Sequence, residues 1–148
     1  FIMRSLDSHL DFDLTLAKKD SSENPVFYLQ YAHARICSIF READKRGIVP
    51  DSENILNEHL LDHETAVVIK TMAKFPEEIS DAAETLEPHK IATYLMRLAQ
   101  SFHRFYAEHR ILTDDRGRTD TYLALAGAVR IILKNGLAIL GVSAPESM

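Results

Sequence analysis

The sequence predicts an all-α protein, an antiparallel bundle of about five helices. After residue 24, apolar residues recur every three or four positions, which is the period of an α-helix. The 148 residues include only five Gly and five Pro, too few for a turn-rich β-protein. Pro25, Pro50, Pro76 and Pro88 stand where one periodic stretch begins or ends, and proline is tolerated at the start of a helix but not inside it.

The composition is that of an ordinary soluble globular protein of one domain. Hydrophobic residues make up 46% and charged residues 26%, and 17 Lys and Arg against 22 Asp and Glu give a net charge of −5. This acidic balance argues against non-specific coating of nucleic acids, but it allows a small basic or aromatic patch. We expect no membrane partner, because no apolar run approaches the ~20 residues that span a bilayer.

The single cysteine, Cys37, excludes an internal disulfide and any site built from several cysteines. A reducing compartment follows, so we expect a cytoplasmic protein. The chain opens Phe1-Ile2-Met3 with no initiator methionine and no targeting signal. We therefore expect it to be part of a longer protein.

Two segments are predicted, a connector at residues 1–23 and a helical domain at residues 24–148. In the connector, apolar residues such as Leu10 and Phe12 alternate with Asp11 and Asp13, a pattern too acidic for a free strand. The two aspartates could also form a carboxylate pair of the kind used in acid–base catalysis. We interpret them as capping or connector residues.

The first predicted helix begins after Asn24-Pro25 and ends near Arg46-Gly47. Side-chain oxygens at residues 21–24 suit the exposed amides of a helix start, and Pro25 suits the first turn. One apolar face follows at helical spacing: Val26, Leu29, Ile36, Ile39 and Phe40.

A second helix is predicted after Pro50-Asp51-Ser52 interrupts the helical period, and its apolar positions run from Ile55 to Met72. It ends at Phe75, because Pro76 disfavours helical geometry in the residue before it. A third, short helix is predicted over residues 77–86.

The fourth predicted helix, from Pro88 to about Arg110, has the clearest apolar face, formed by Ile91, Leu95, Leu98, Phe102 and Phe105. A polar loop at residues 113–118 separates it from the last helix, at residues 119–140. Gly141 is well placed to end that helix, and residues 142–148 form a tail.

Motifs for catalysis are absent, so we assign no catalytic residue. The sequence has no glycine-rich phosphate loop, no Gly-x-Ser-x-Gly turn and no recognisable Cys–His pair. His59 and His63 stand four residues apart on the second predicted helix, a spacing that can bind a metal ion. Because the sequence supplies no third ligand, we interpret both as solvated histidines and expect no metal.

Tyr28, Tyr31 and Arg35 lie within about 60° of each other on one face of the first helix. Phenol rings can stack on unpaired bases, and arginine can pair a phosphate or stack on a base. Spacing alone favours a plainer interpretation, in which both rings pack in the core with their hydroxyls at its rim.

The run Gln30–Arg35, followed by Ile36-Cys37-Ser38, resembles the opening helix of the anticodon-binding domain of arginyl-tRNA synthetases. The similarity begins at Asn24 and covers essentially the whole chain, and it is weakest at about residues 44–75. Further matches follow in the family's order: Leu6–Asp13, Pro88-His89, Tyr94-Leu95, Leu98-Ala99, Phe102, Phe105-Tyr106, Gly136-Leu137, Leu140–Val142, Ala144–Glu146 and Met148.

The resemblance implies a helical domain that holds the anticodon stem-loop of arginine tRNA. The parent enzyme would use ATP, with Mg, to activate arginine in a catalytic domain of its own chain before Phe1. The class I signatures for that step are absent here, and we expect no cofactor in this fragment. The resemblance assigns six residues to the anticodon site: Tyr28, Tyr31, Arg35, Tyr106, Arg110 and Met148.

Two positions depart from the family pattern. His109 stands where a cysteine is frequent, and Tyr122 stands where an arginine commonly precedes the leucine. We expect neither residue to touch the anticodon bases directly.

Two other functions remain open on the residues alone. In one, the chain is a helical protein–protein interaction domain without RNA binding, and Tyr28 and Tyr31 are packing or interface residues. In the other, it is a histidine-rich bundle that binds a metal ion. Salt-sensitive binding to one set of tRNAs distinguishes the anticodon-binding function from the first, and metal content distinguishes it from the second.

Overall fold

The computed structural model describes residues 24–51, 54–55, 57–60 and 62–148, so the predicted connector at residues 1–23 lies outside the described residues. The described part contains no strand, which confirms the all-α prediction. Its elements are α1 (Pro25–Lys45), a 3₁₀ turn (Asn57–Leu60), α2 (His63–Ala73), α3 (Phe75–Glu84), α4 (His89–Glu108) and α5 (Arg116–Ile139).

The ends of α1 lie where the sequence predicts them. Asn24 caps its start, since the Oδ1 of Asn24 accepts a hydrogen bond from the Val26 amide at 3.1 Å. Pro25 occupies the first turn, where no intrahelical amide bond is lost. The chain leaves the helix at Gly47, whose φ of 68° is readily adopted only by glycine.

The second predicted helix is wrong, because the structure divides that stretch into the 3₁₀ turn and α2. Asp62 has an extended backbone, and its carboxylate accepts the Thr65 amide at 3.0 Å and the Thr65 hydroxyl at 2.5 Å. An aspartate that captures these donors starts a new helix rather than continuing an old one. Apolar spacing, which continues across Asp62, carries no sign of this break.

A break next to Pro76 is confirmed, but it lies at Lys74, which separates α2 from α3. Phe75 does not end the preceding helix as predicted: it begins α3, two residues before the predicted start, and Pro76 follows it in the first turn.

The start of α5 lies three residues before the predicted one. Asp115 caps it, with its Oδ1 accepting the Arg118 amide at 3.0 Å, so the second half of the predicted polar loop is helical. The predicted end is confirmed: Gly141 has a φ of 69°, and the Val142 amide bonds back to the Leu137 carbonyl at 2.9 Å.

The core forms around α4, which contacts each of the other four α-helices of the described residues. The largest fully buried side chains of the core are Tyr94, Phe102, Phe105, Ile36, Leu95, Leu98, Leu123, Leu133 and Leu137. The side chain of Leu95 on α4 packs directly onto Gly136 of α5, where an added Cβ would lie 2.5 Å from the Cδ2 of Leu95. The lone cysteine, Cys37, is buried in α1.

In the part of the chain that the structure describes, α5 is the one helix long and apolar enough, by length and composition, to cross a membrane. The expectation that no segment approaches this length considered only uninterrupted apolar runs. Buried residues occur along α5 from Gly117 to Leu137, and the helix packs against α1 and α4. These contacts are those of a core helix in a bundle.

Candidate nucleic-acid interface

A groove of about 950 Å³ lies between α1, the end of α4 and the end of the chain. Residues 31–46 of α1 and its C-cap form one wall, residues 106–112 form the second, and Ser147 and Met148 close the third side. Five of the six residues assigned to the anticodon site line this groove: Tyr31, Arg35, Tyr106, Arg110 and Met148.

Tyr28 does not line the groove. Its hydroxyl is hydrogen-bonded to the Nδ1 of His103 on α4 at 2.7 Å, and the two rings meet edge to face with their centroids 5.0 Å apart. Burial raises the pKa of Tyr28 above the ordinary tyrosine value. Burial also lowers the pKa of His103, and the positive charge of Arg35 lowers it further. Of the two α1 tyrosines, Tyr28 thus fits the packing interpretation.

Arg35 connects the two tyrosines that do line the groove. Its Nη1 donates to the Tyr31 hydroxyl at 2.9 Å, and its guanidinium carbon lies 4.5 Å from the centroid of the Tyr106 ring. Tyr106 also stacks against Phe102, with centroids 6.2 Å apart and planes inclined by 29°. The Tyr31 side of this cluster is the more open, because Tyr31 is 39% exposed whereas Tyr106 is half-buried.

The groove is basic although the chain is acidic. Four arginines and two glutamates line it: Arg35, Arg41, Arg46, Arg110, Glu42 and Glu108. One glutamate, Glu42, pairs with Arg46 at 2.9 Å. An excess of positive charge beside exposed aromatic surface is the combination that binds single-stranded nucleic acid.

Sequence reasoning missed several residues of the groove. Ser38 and Glu42 continue the helical face of Tyr31 and Arg35 at steps of three and four, and Arg41 and Arg46 lie beside them. The spacing along this face of α1 therefore indicates these positions as well. A helix places its next turn on the same side, so a site on one turn extends to the next.

His109, one of the two positions that depart from the family pattern, also lines the groove. Its ring stacks on Phe105 at 4.8 Å and meets Tyr122 edge to face at 5.4 Å, and its Nε2 lies 3.4 Å from the Asp62 carboxylate. The two positions that depart from the family pattern, His109 and Tyr122, therefore contact each other.

The interpretation of His59 and His63 as two solvated histidines on one helix is wrong. His59 belongs to the 3₁₀ turn, and its side chain is 12% exposed and lies 3.8 Å from the Asp115 carboxylate. His63 begins α2, and its side chain is 85% exposed. Among the described residues, no group of three or more His, Cys, Asp and Glu side chains is arranged to hold a metal ion.

Comparison with known families extends over nearly all of the described residues. The model of the DALR anticodon binding domain matches residues 29–148. The chain belongs to the DALR anticodon-binding domain family. The resemblance in the α1 sequence is thereby confirmed, and it extends through the residues that line the groove.

This DALR domain resembles part of longer proteins. It is 48% identical over 149 residues to the arginine–tRNA ligase of Desulforamulus reducens and 50% identical over 149 residues to that of Symbiobacterium thermophilum. Each match covers 100% of this chain and 27% of the relative, so the chain spans about a quarter of the length of these curated relatives.

Solved structures show the same fold in such a protein. The arginyl-tRNA synthetase of Thermus thermophilus matches with a TM-score of 0.68 and 32% sequence identity. That match covers 89% of this DALR domain and 22% of the T. thermophilus chain.

Proposed function

We propose that the groove binds the anticodon stem-loop of arginine tRNA, and that the chain acts as the anticodon-binding part of an arginine–tRNA ligase. The observation that carries this proposal is the cluster of Tyr31, Arg35 and Tyr106 at a basic groove that also includes Met148. Membership of the DALR family and similarity to arginine–tRNA ligases support the choice of RNA.

The chemistry of the groove suits unpaired bases. Arg35 lies over the ring of Tyr106, and that ring also stacks on Phe102. A base that enters the groove would therefore meet the Tyr31 ring and the plane of the Arg35 guanidinium. Both are flat and polarisable, and both stack on any base. The thioether of Met148, a residue 55% exposed, adds a flexible apolar contact. Arg41 and Arg110 also line the groove, and their positive charges would favour the phosphates of a bound loop.

The activity of the whole protein is part of the same proposal. A catalytic domain elsewhere in the longer chain would activate arginine with ATP and Mg and transfer it to the acceptor end of the tRNA. The DALR domain would hold the anticodon so that the acceptor end reaches that site. Such an enzyme of protein synthesis would act in the cytoplasm.

The test measures binding of arginine tRNA, and of an anticodon-substituted control, to the full-length protein. Stacking is worth about 1–3 kcal/mol per base, so Tyr31→Ala should weaken binding of arginine tRNA about tenfold or more. Tyr106→Ala should also weaken binding, because it removes the ring against which the Arg35 guanidinium lies. Met148→Ala should have a smaller effect than Tyr31→Ala, because a thioether covers less of a base than a phenol ring does.

Ile131→Ala is the matched control, since Ile131 is also an exposed large apolar residue but lies on α5 outside the groove. Unfolding curves establish that each variant is folded. If folded Tyr31→Ala and Tyr106→Ala proteins still discriminate the two tRNAs as the wild type does, the rings are packing residues and the proposal is wrong.

A further inference from the structure

The chain turns back after α5 and runs along α1. The turn is made at Gly141, and Val142 and Ala144 then pack against the core. Beyond them the tail continues to Ser147 and Met148 at the groove. A terminal segment of this length frays unless other residues hold it.

Three side chains of α1 hold the backbone of the tail. The Nε2 of Gln30 donates to the Ser143 carbonyl at 2.9 Å and contacts the Ser143 hydroxyl at 3.1 Å. Nδ1 of His33 bonds to the Pro145 carbonyl at 2.8 Å, and Nη1 of Arg41 donates to the Glu146 carbonyl at 2.8 Å. Residues later in the tail bond to residues later in α1, so the tail runs parallel to α1 and towards the groove.

The holding residues share one face of α1. At 100° per residue, Gln30, His33 and Arg41 lie within about 80° of each other, and the groove-lining Tyr31 and Arg35 lie on the adjoining face. The tail therefore passes from one face of α1 to the next, and Met148 is delivered to the groove side.

His33 is the buried member of the three, with 2% of its surface exposed. A carbonyl oxygen only accepts hydrogen bonds, so the Nδ1 of His33 must carry the hydrogen in the bond to Pro145. The bonds from Gln30 and Arg41 are exposed to solvent. Because water competes less for a buried donor, we expect His33 to hold the tail more firmly than the other two do.

We infer that Gln30, His33 and Arg41 are positioning residues for Met148, which fix the tail as a preformed wall of the RNA-binding groove. This inference rests on the proposed function. Ordering the tail before RNA arrives removes the entropy cost of ordering it on binding. None of the three has to touch a base for its loss to weaken binding.

The first test needs no RNA. In the 148-residue chain, ¹⁵N relaxation reports the order of the backbone at residues 146–148. His33→Leu fills the site without a donor, so the order parameters there should fall from about 0.85 towards 0.6 or less while those of α1 stay high. His33→Gln, which keeps an N–H donor, should restore much of the order. Unchanged order in His33→Leu would overturn the inference.

The second test is a double-mutant cycle in tRNA binding by the full-length protein. His33→Leu and Met148→Ala should each weaken tRNA binding several-fold. The double variant should bind tRNA no less tightly than whichever single variant has the lower affinity. Multiplying effects would mean that His33 does not act through Met148 and would overturn the inference. Tyr31→Ala, measured alongside, tests the proposed function independently.

Two exposed variants serve if His33→Leu does not fold. Gln30→Ala and Arg41→Ala should both loosen the tail in the relaxation measurement, and Gln30→Ala, which removes no charge from the groove, should be non-additive with Met148→Ala in tRNA binding. Lys45→Ala is the charge-matched control for Arg41→Ala, because Lys45 is an exposed cation of α1 outside the groove. If the tail loosens in Gln30→Ala and Arg41→Ala but Tyr31→Ala binds arginine tRNA as tightly as the wild type does, the proposed function is overturned. If the tail stays ordered in both Gln30→Ala and Arg41→Ala, the inference is overturned.

Discussion

At the scale of single residues, the state of the groove depends on one guanidinium group. Arg35 donates to the Tyr31 hydroxyl and covers a face of Tyr106, so it orients one ring and occupies part of the other. A planar group with several donors can do both at once, whereas the ammonium of lysine cannot. Charge and shape at position 35 therefore have separable effects.

Arg35→Ala should weaken binding of both arginine tRNA and an anticodon-substituted tRNA, because it removes a positive charge from the groove. The dependence of log affinity on log salt concentration should become shallower by about one. Arg35→Lys should restore the salt dependence but not the full affinity, since it keeps the charge and loses the stacked plane. The measurement is a salt titration of both tRNAs with the full-length protein. Full affinity in Arg35→Lys would contradict a role for the guanidinium shape.

His59 and His63 form a matched pair of histidines that separates the effect of burial from that of exposure. His63→Ala should change the free energy of unfolding by less than about 0.5 kcal/mol, because its side chain is 85% exposed. His59→Ala should cost on the order of 1 kcal/mol, because that ring is enclosed between Asp115 and Tyr122. Urea unfolding of both variants at pH 7 provides the comparison. Equal stabilities would mean that the 3₁₀ turn does not pack as described.

At the scale of elements, a buried carboxylate connects the first turns of α5 to the loop after α1. Asp120 is 1% exposed, and it accepts hydrogen bonds from the Asp51 amide at 3.2 Å, the Asn54 side chain at 3.0 Å and Arg116 at 2.8 Å. Burial by itself raises the pKa of Asp120, but these bonds outweigh it and hold the pKa below the usual range.

The lowered pKa of Asp120 predicts a specific pH dependence of stability. A carboxyl group with a depressed folded-state pKa stabilises the fold above its unfolded-state pKa, near 3.9, and loses that contribution as the pH falls through the folded-state pKa. Asp120→Asn should therefore be less stable by about 1–3 kcal/mol at pH 7. The deficit should shrink as the pH falls from about 5 towards 2. Asp44→Asn, at an exposed aspartate of α1, is the control, and a deficit independent of pH would contradict this account.

At the scale of the whole molecule, binding and catalysis are expected to be separate. The chain by itself should fold as a helical domain, with a cooperative unfolding transition followed by circular dichroism. It should not support arginine-dependent exchange between ATP and pyrophosphate, because its sequence lacks the class I signatures. The full-length protein is the positive control. Exchange by the purified chain, free of the longer enzyme, would refute this division.

Much of the fold could be predicted from local sequence. Asn24-Pro25 and Gly141 mark helix ends through capping and backbone preference, which depend on a few neighbouring residues. The break at Asp62 and the early start of α5 at Asp115 were missed, although both aspartates cap by the same chemistry. Apolar spacing describes the face of a helix, and it continues through a cap when the next helix packs against the same core.

What the sequence determined by itself is therefore the helical class, the family and a set of six site residues, of which five line the groove. Only the tertiary structure decided between Tyr28 and Tyr31, which share a face of α1. The His103 ring of α4 hydrogen-bonds the Tyr28 hydroxyl, whereas it meets Tyr31 only edge to face and leaves that ring 39% exposed. Only the tertiary structure brought the tail to α1. Its contacts join residues more than 100 positions apart, and helical periodicity relates only residues within a few turns of each other.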